Sequence, residues 1–393
     1  MIPDITRRAA ELLSTPDAID TRGPIDGVLP VRGPVRKAAP VATSGITPVR
    51  INGAPLCIAL VGSSGAGVSA VADKLAAHRP DIAWLDTSDS TSLAVMPCLL
   101  ASDGVIVVMS ATQGLASHIC DLWESVAHLP TTIVVTHLDE PRADLDECAA
   151  IVRRVMGFDV LIPYLPIHDD NHQLAGFLDV LGDVIHVQEL DGAHDLPTDD
   201  EHRALTEGYR DDVIDLLVAE SADDDVVASL LAGDGVETSH LQSWLQVGIR
   251  AARIHVVLGC ALDTARGDIG LDVIASNVAH ATPMWADHEA PVLMTLAGDP
   301  TTPLDQTGTS VAFVLGNDER GTIVRVLAGT LEDGQDMVAI TDGDARPYVV
   351  TVVEGGTAFA GDLAHITPEL AAGVTLSDPA YPVTVVSGGP HLG

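Results

Sequence analysis

Residues 56–70 read LCIALVGSSGAGVSA, an apolar run that ends at Gly62 and passes through Gly65 and Gly67 into Val68 and Ser69. Leu56–Val61 predicts a buried strand and Val68–His78 a helix. The glycines between them allow the tight backbone that a strand-to-helix turn needs. The spacing is that of a phosphate-binding loop, G-x-x-x-x-G-K-[ST]. In such a loop backbone N–H groups converge at a helix amino terminus, the lysine reaches the outer phosphates and the hydroxyl binds magnesium. Here the glycines and Ser69 stand, but Val68 occupies the lysine position. Taken alone, the stretch serves equally well as a structural glycine turn.

Working outward, short β-branched runs alternate with helical stretches. The runs are Leu56–Val61, Ile82–Leu85, Gly104–Ala111, Thr131–Thr136, Val160–Ile167 and His255–Leu258. Helical stretches such as Val68–His78, Leu115–His128 and Arg142–Met156 separate them. This alternation predicts an α/β fold, a doubly wound and mostly parallel sheet covered on both faces, over residues 55–288. An acidic helical stretch near 199–252 reads as an insertion before the last strand. After Pro291 the strands become closely spaced: Val311–Leu315, Thr322–Leu327, Met337–Ile340, Tyr348–Val353, Leu363–Ile366 and Val383–Val386. Turn signals such as Asp333-Gly334 and Gly355-Gly356 divide them, which predicts an antiparallel β-barrel over 291–387. Residues 1–54 read as a short helix followed by a Pro/Gly-rich arm.

Composition narrows the function classes. The 393 residues carry 56 acids against 20 bases, a net charge of −36. Of the acids 42 are aspartates, and Lys37 and Lys74 are the only lysines. A field of that sign repels phosphate backbones, so general nucleic-acid binding is not expected. The first 50 residues differ: seven bases and five acids give them +2 and leave −38 for the rest. That makes the arm the segment able to dock by charge, on an acidic partner or on its own body. No apolar run reaches the length of a membrane span and no export signal precedes the fold, so a cytoplasmic protein is expected. Five dispersed cysteines without a C-x-x-C read as reduced thiols.

The order of the next motifs points to a family. Ile82–Thr87, then Ala101–Ala111 with Gln113-Gly114, then Thr136-His137-Leu138-Asp139 and Arg142–Asp146 follow one another. Leu161–Ile167, Ala251–Leu262, Gly361-Asp362-Leu363 and Leu376-Ser377-Asp378-Pro379 come after them. In this order they resemble the GTPase domain and second domain of elongation factor G, most closely the elongation factor G-like proteins of bacteria. The resemblance spans roughly residues 55 to 387. It implies a P-loop GTPase-like sheet and a translation-factor barrel, with the chain ending after the second domain, so ordinary elongation is not expected of it.

Carried over position by position, the resemblance implies a nucleotide site with degenerate chemistry. Gly62, Gly65, Gly67 and Ser69 match the phosphate loop, and Asp86 matches the aspartate that helps hold magnesium through water. Asp139 matches the guanine-reading aspartate, and Cys260 and Ala261 match the S-A pair, where the backbone would serve. Thr87-Ser88-Asp89-Ser90 replaces T-P-G-H, placing Asp89 where an N–H meets the γ phosphate and Ser90 where a histidine orients water. Thr136 and His137 replace the asparagine and lysine of N-K-x-D. Only sixteen residues, Ala70–Leu85, separate Ser69 from Asp86, too few for the first switch loop of the family. No catalytic residue, no metal site and no magnesium are expected, and the cofactor is either none or weakly bound GDP or GTP. The functional expectation is a pseudo-GTPase acting as a nucleotide-independent binding or regulatory module, with a ribosomal or other translation-related protein partner. A weak GTP- or GDP-binding factor and a decayed paralogue without a role are the alternatives. His168, Asp169, Asp170 and His172 offer metal-ligand chemistry but sit in a polar stretch that reads as a solvated loop. Asp223-Asp224-Asp225 lacks EF-hand spacing and reads as a solvated helix start.

Overall fold

The computed structural model describes residues 56–385 apart from 64, 89–91, 116–118, 121, 124–126, 158–159, 221–237, 284–292, 297–299, 302–308, 342–343 and 354–355. The expected arm over 1–54, Asp89, Ser90 and the acidic run at Asp223 lie outside the described residues.

In chain order the first half holds β1 (Cys57–Gly62), α1 (Val68–His78), β2 (Ala83–Asp86), α2 (Ser92–Leu100), β3 (Gly104–Ser110), β4 (Thr131–Thr136), α3 (Leu145–Met156) and β5 (Val160–Leu161). It continues with β6 (Tyr164–His168), β7 (Leu174–Asp179), β8 (Val184–Glu189), β9 (Gly192–Pro197), α4 (Asp200–Glu220), α5 (Thr238–Arg250), β10 (His255–Gly259), β11 (Ala261–Thr264), β12 (Gly267–Ile269) and α6 (Leu271–Ala281). Strands β2, β1, β3, β4, β10 and β5 form one parallel sheet in that order. Successive side chains of a strand face opposite sides of a sheet. Cys57, Ala59 and Val61 accordingly share a core with Val95 and Leu99 of α2 and Cys148 and Val152 of α3. Ile58 and Leu60 share the opposite core with Val71 and Leu75 of α1 and Ile274 and Val278 of α6. Burial on both faces is why these strands are continuous apolar runs.

Local signals set the helix ends. The Asp144 side chain accepts the Glu147 N–H at 3.0 Å at the start of α3. Asp146 and Glu147 sit in its first turn, Arg153 and Arg154 in its last, and Gly157 closes it at φ 76°.

Val160–Ile167 is not one strand. The chain leaves the parallel sheet after Leu161, and β6 starts a separate antiparallel sheet ordered β6, β7, β8, β9. Pro163, which has no N–H to offer a ladder, stands at the break. Along the chain this second sheet, followed by α4 and α5, is inserted between β5 and β10.

The last third contains β13 (Leu293–Thr295), β14 (Pro300–Thr301), β15 (Val311–Asp318), β16 (Gly321–Ala328), β17 (Thr330–Glu332), β18 (Asp336–Thr341), β19 (Asp344–Val349), β20 (Thr351–Val352), β21 (Thr357–Phe359), β22 (Leu363–Thr367), β23 (Thr375–Ser377) and β24 (Val383–Val385). Seven of them form an antiparallel half-barrel ordered β19, β18, β23, β15, β16, β22, β20. The run Tyr348–Val353 is split between β19 and β20, because the Val350 N–H turns to the Gln335 carbonyl at 3.0 Å. Asp318 caps the β15–β16 turn, accepting the N–H groups of Arg320 at 2.8 Å and Gly321 at 3.2 Å.

The barrel and the parallel sheet share one core. Val95, Cys98 and Leu99 of α2 belong to the same buried cluster as Phe313, Leu315, Ile323, Leu327 and Leu363. At its centre Arg325 of β16 reaches the sheet. Its Nη2 donates to both Asp103 oxygens at 3.0 and 2.9 Å, and its Nη1 donates to the Ala101 carbonyl. Asp103 also accepts the Cys57 N–H at 2.7 Å, and both charged side chains are fully buried.

Candidate functional site

The carboxyl ends of β1, β4 and β10 bring the expected site residues to one edge of the sheet. Gly62 ends β1, and a Cβ there would stand 2.5 Å from the Val108 carbonyl and 2.6 Å from Val68 Cγ2, so only glycine fits. Gly65 and Gly67 adopt φ of 88° and 78°, the left-handed region that glycine enters without strain. Gly67 then starts α1 with no side-chain cap and no acid in the first turn, so no side chain of its own offsets the positive dipole end.

Two side chains brace the loop. The Thr136 hydroxyl, at the position expected for asparagine, lies 2.8 Å from the Ala66 carbonyl and 3.2 Å from that of Met109. The Gln113 amide covers Gly65, where a Cβ would meet Oε1 at 2.9 Å. These contacts hold Gly65 and Ala66 in place at the end of β1.

The side chains do not complete it. Val68 is 3% exposed and belongs to the core beneath the loop, so the lysine position projects no charge. Ser69 Oγ lies 2.7 Å from Ser88 Oγ, and the Ser88 N–H donates to Asp86 Oδ1 at 2.8 Å. Ser88 thus engages both groups that would serve a magnesium ion. Thr87 is tied down as well, its hydroxyl donating to the Leu60 carbonyl at 2.7 Å.

On the base side, Leu138 N donates to the Cys260 carbonyl at 3.4 Å and Cys260 N to that of Val135 at 2.8 Å. These contacts seat Thr136–Asp139 beside Cys260–Ala261. His137 takes φ 60°, Asp139 is exposed, and Cys260 and Ala261 are buried. Burial, with the carboxylates of Asp268 and Asp139 adding to it, pushes the Cys260 thiol up to about 12, so it is an inert thiol.

Sequence reasoning missed the strut behind this edge. Lys74 of α1 donates to Asp263 at 2.7 Å and Asp268 at 3.2 Å, fastening the β11–β12 hairpin to the helix that follows the loop. Its ammonium is held above the usual lysine range by those two bonds. The partners lie 189 and 194 positions away, and the one usable signal was the scarcity of lysine. The polar stretch at His168–His172 is the β6–β7 turn. Its Asp169 accepts the N–H groups of Asn171 and Gln173 and pairs with Arg266 of the same β11–β12 hairpin, which accounts for that carboxylate without a metal.

No family model matches the chain. It is 25% identical over 265 residues to the mitochondrial ribosome-releasing factor 2 of Drosophila erecta, covering 63% of this chain and 34% of that protein. It is also 25% identical over 244 residues to an elongation factor G-like protein of Mycobacterium tuberculosis, covering 59% and 33%. The chain thus spans about a third of the length of these curated relatives. In fold it is similar to the crystal structure of ttk003000868 from Thermus thermophilus, with a TM-score of 0.63 at 18% identity over 84% of this chain and 55% of that one. With six parallel strands, a glycine loop at the end of β1 and an antiparallel half-barrel, the chain is similar in sequence to elongation factor G-like proteins and to ribosome-releasing factor 2.

Proposed function

We propose that the chain is a pseudo-GTPase: a binding or regulatory module whose contact with a ribosomal or translation-related protein does not depend on nucleotide. The observation that carries this reading is the joint fate of Val68, Ser69 and Asp86. The first is absorbed into the core, and the other two are engaged by Ser88. Phosphoryl transfer depends on positioned charge, from a lysine, a metal and a water-orienting group, and the described residues of the site present none of the three in working form. The burial of α2 against the barrel supports the same view. This helix follows Thr87-Ser88-Asp89-Ser90, and its Val95, Cys98 and Leu99 are buried in the core shared with the barrel. A module of this kind works in the cytoplasm, through surfaces rather than through a switch.

A second reading has its own support. Gly65 and Gly67 keep the left-handed backbone of a phosphate loop, and Asp139 is exposed beside Cys260–Ala261. Such a site would hold GDP without magnesium, since nothing there favours a γ phosphate. Isothermal titration of the purified chain with GDP and with a non-hydrolysable GTP analogue, each with and without magnesium, separates the readings. No heat with any ligand fits the first, magnesium-independent GDP binding fits the second, and magnesium-dependent binding of the GTP analogue contradicts both.

A further inference from the structure

The geometry assigns a divalent-cation site of the zinc class to Glu189, Asp191 and His194, at the tip of the β8–β9 hairpin and outside the loop region described above. The hairpin is registered by six consecutive pairs, from Val184 opposite Pro197 to Glu189 opposite Gly192. That register leaves a two-residue turn, Leu190-Asp191, followed by Gly192 at φ 134°. Side chains alternate between the faces of a strand, and directly paired residues share a face. Val187 pairs with His194 and Glu189 with Gly192, so Glu189 and His194 emerge on the same face, one diagonal step apart. Asp191 joins them from the turn. One donor atom from each of the three lies within 4.8 Å of the others.

An ordinary surface ion pair explains only part of this. His194 Nε2 and Asp191 Oδ1 are 3.0 Å apart. One carboxylate suffices for an imidazolium. The second, from Glu189, converges on the same point, and two carboxylates with a neutral imidazole together balance a dication. Ligand atoms around tetrahedral zinc stand about 3.3 Å apart, which small rotations of three exposed side chains reach from the present arrangement. The imidazole selects a borderline metal such as Zn2+ or Co2+ over Ca2+ or Mg2+. On binding, His194 Nε2 gives its proton to solvent and the lone pair goes to the metal. Coordination positions remain open on the solvent side, next to Leu190, which is 86% exposed. Water, or one donor from a partner, can fill them.

The test uses the full chain stripped with EDTA. Zn2+ is titrated in competition with a zinc-sensitive dye, and Co2+ binding is followed by its visible absorption. The expected result is a Zn2+ site weakened about tenfold or more in His194→Ala and in Glu189→Gln, with the Co2+ band lost in His194→Ala. His186→Ala serves as the control. That imidazole sits on the opposite face of β8, paired with Asp195 at 2.7 Å, and its loss leaves Zn2+ affinity unchanged. All three side chains tested are on the surface hairpin, and circular dichroism checks that each variant is folded. Absence of Zn2+ binding, or equal affinity in the native chain and in His194→Ala, overturns the assignment.

Discussion

Replacing Arg325 by Met is the perturbation the packing makes most severe. The Arg325 and Asp103 side chains are both sealed from solvent, and they lie 222 positions apart in the sequence. The substitution removes two hydrogen bonds to the carboxylate and one to the Ala101 carbonyl. It leaves the Asp103 carboxylate buried without the guanidinium's charge, while the Cys57 N–H still donates to it at 2.7 Å. Breaking a buried ion pair by deleting one partner costs about 3 to 5 kcal/mol, most of it the uncompensated charge. Asp103→Leu strands the guanidinium instead and belongs in the same range. The double variant Asp103→Leu with Arg325→Met removes both charges and recovers most of the loss, because apolar replacement of a whole buried pair is close to neutral. Urea denaturation followed by circular dichroism, analysed as a double-mutant cycle, reads these differences. Single-variant losses below about 1 kcal/mol, the level of an exposed pair, would refute the claim that this contact fastens the barrel to the sheet.

Reinstating the loop lysine with Val68→Lys should leave GTP hydrolysis at background in a phosphate-release assay. It should also lower stability by about 1.5 to 3 kcal/mol, the burial lost at a side chain that is 3% exposed. If the chain holds GDP, calorimetry should give the same affinity in EDTA as in magnesium, and Asp139→Asn should abolish preference for GDP over ADP; preference retained in that variant counts against the base-side reading. Burial depresses His255 to about 4 in the folded chain, against about 6.5 when unfolded. The unfolded state therefore binds the extra proton between these values, and stability falls as pH drops from about 6.5 to 4, by about 3 kcal/mol in all. Urea midpoints at pH 7 and pH 5 should converge in His255→Phe relative to the native chain, and an unchanged difference would contradict the assignment.

What the sequence disclosed, and what it hid, follows from the range of the interactions. β1, β3 and β4 were legible because both faces of each are buried and the runs are apolar or β-branched almost throughout. α1 was legible because its periodicity is local. The β6–β9 sheet was not, since β9 is exposed along almost its whole length and β6 is only half-buried, so neither shows the alternation of a one-faced strand. The site positions Gly62, Gly65, Gly67 and Ser69 could be placed by spacing. Ser88 could not, because its role comes from a hydroxyl contact across nineteen residues and from an N–H that turns back on Asp86. The Lys74 strut and the Arg325–Asp103 contact depend wholly on tertiary placement, and no local pattern announces either.

The pseudo-GTPase reading is tested most directly by multiple-turnover phosphate release from GTP with purified ribosomes, comparing the native chain with Ser69→Ala. With Val68 buried and Ser69 and Asp86 engaged by Ser88, the account predicts release at the ribosome-only background for both proteins. Ribosome-stimulated release by the native chain that disappears in Ser69→Ala would contradict it.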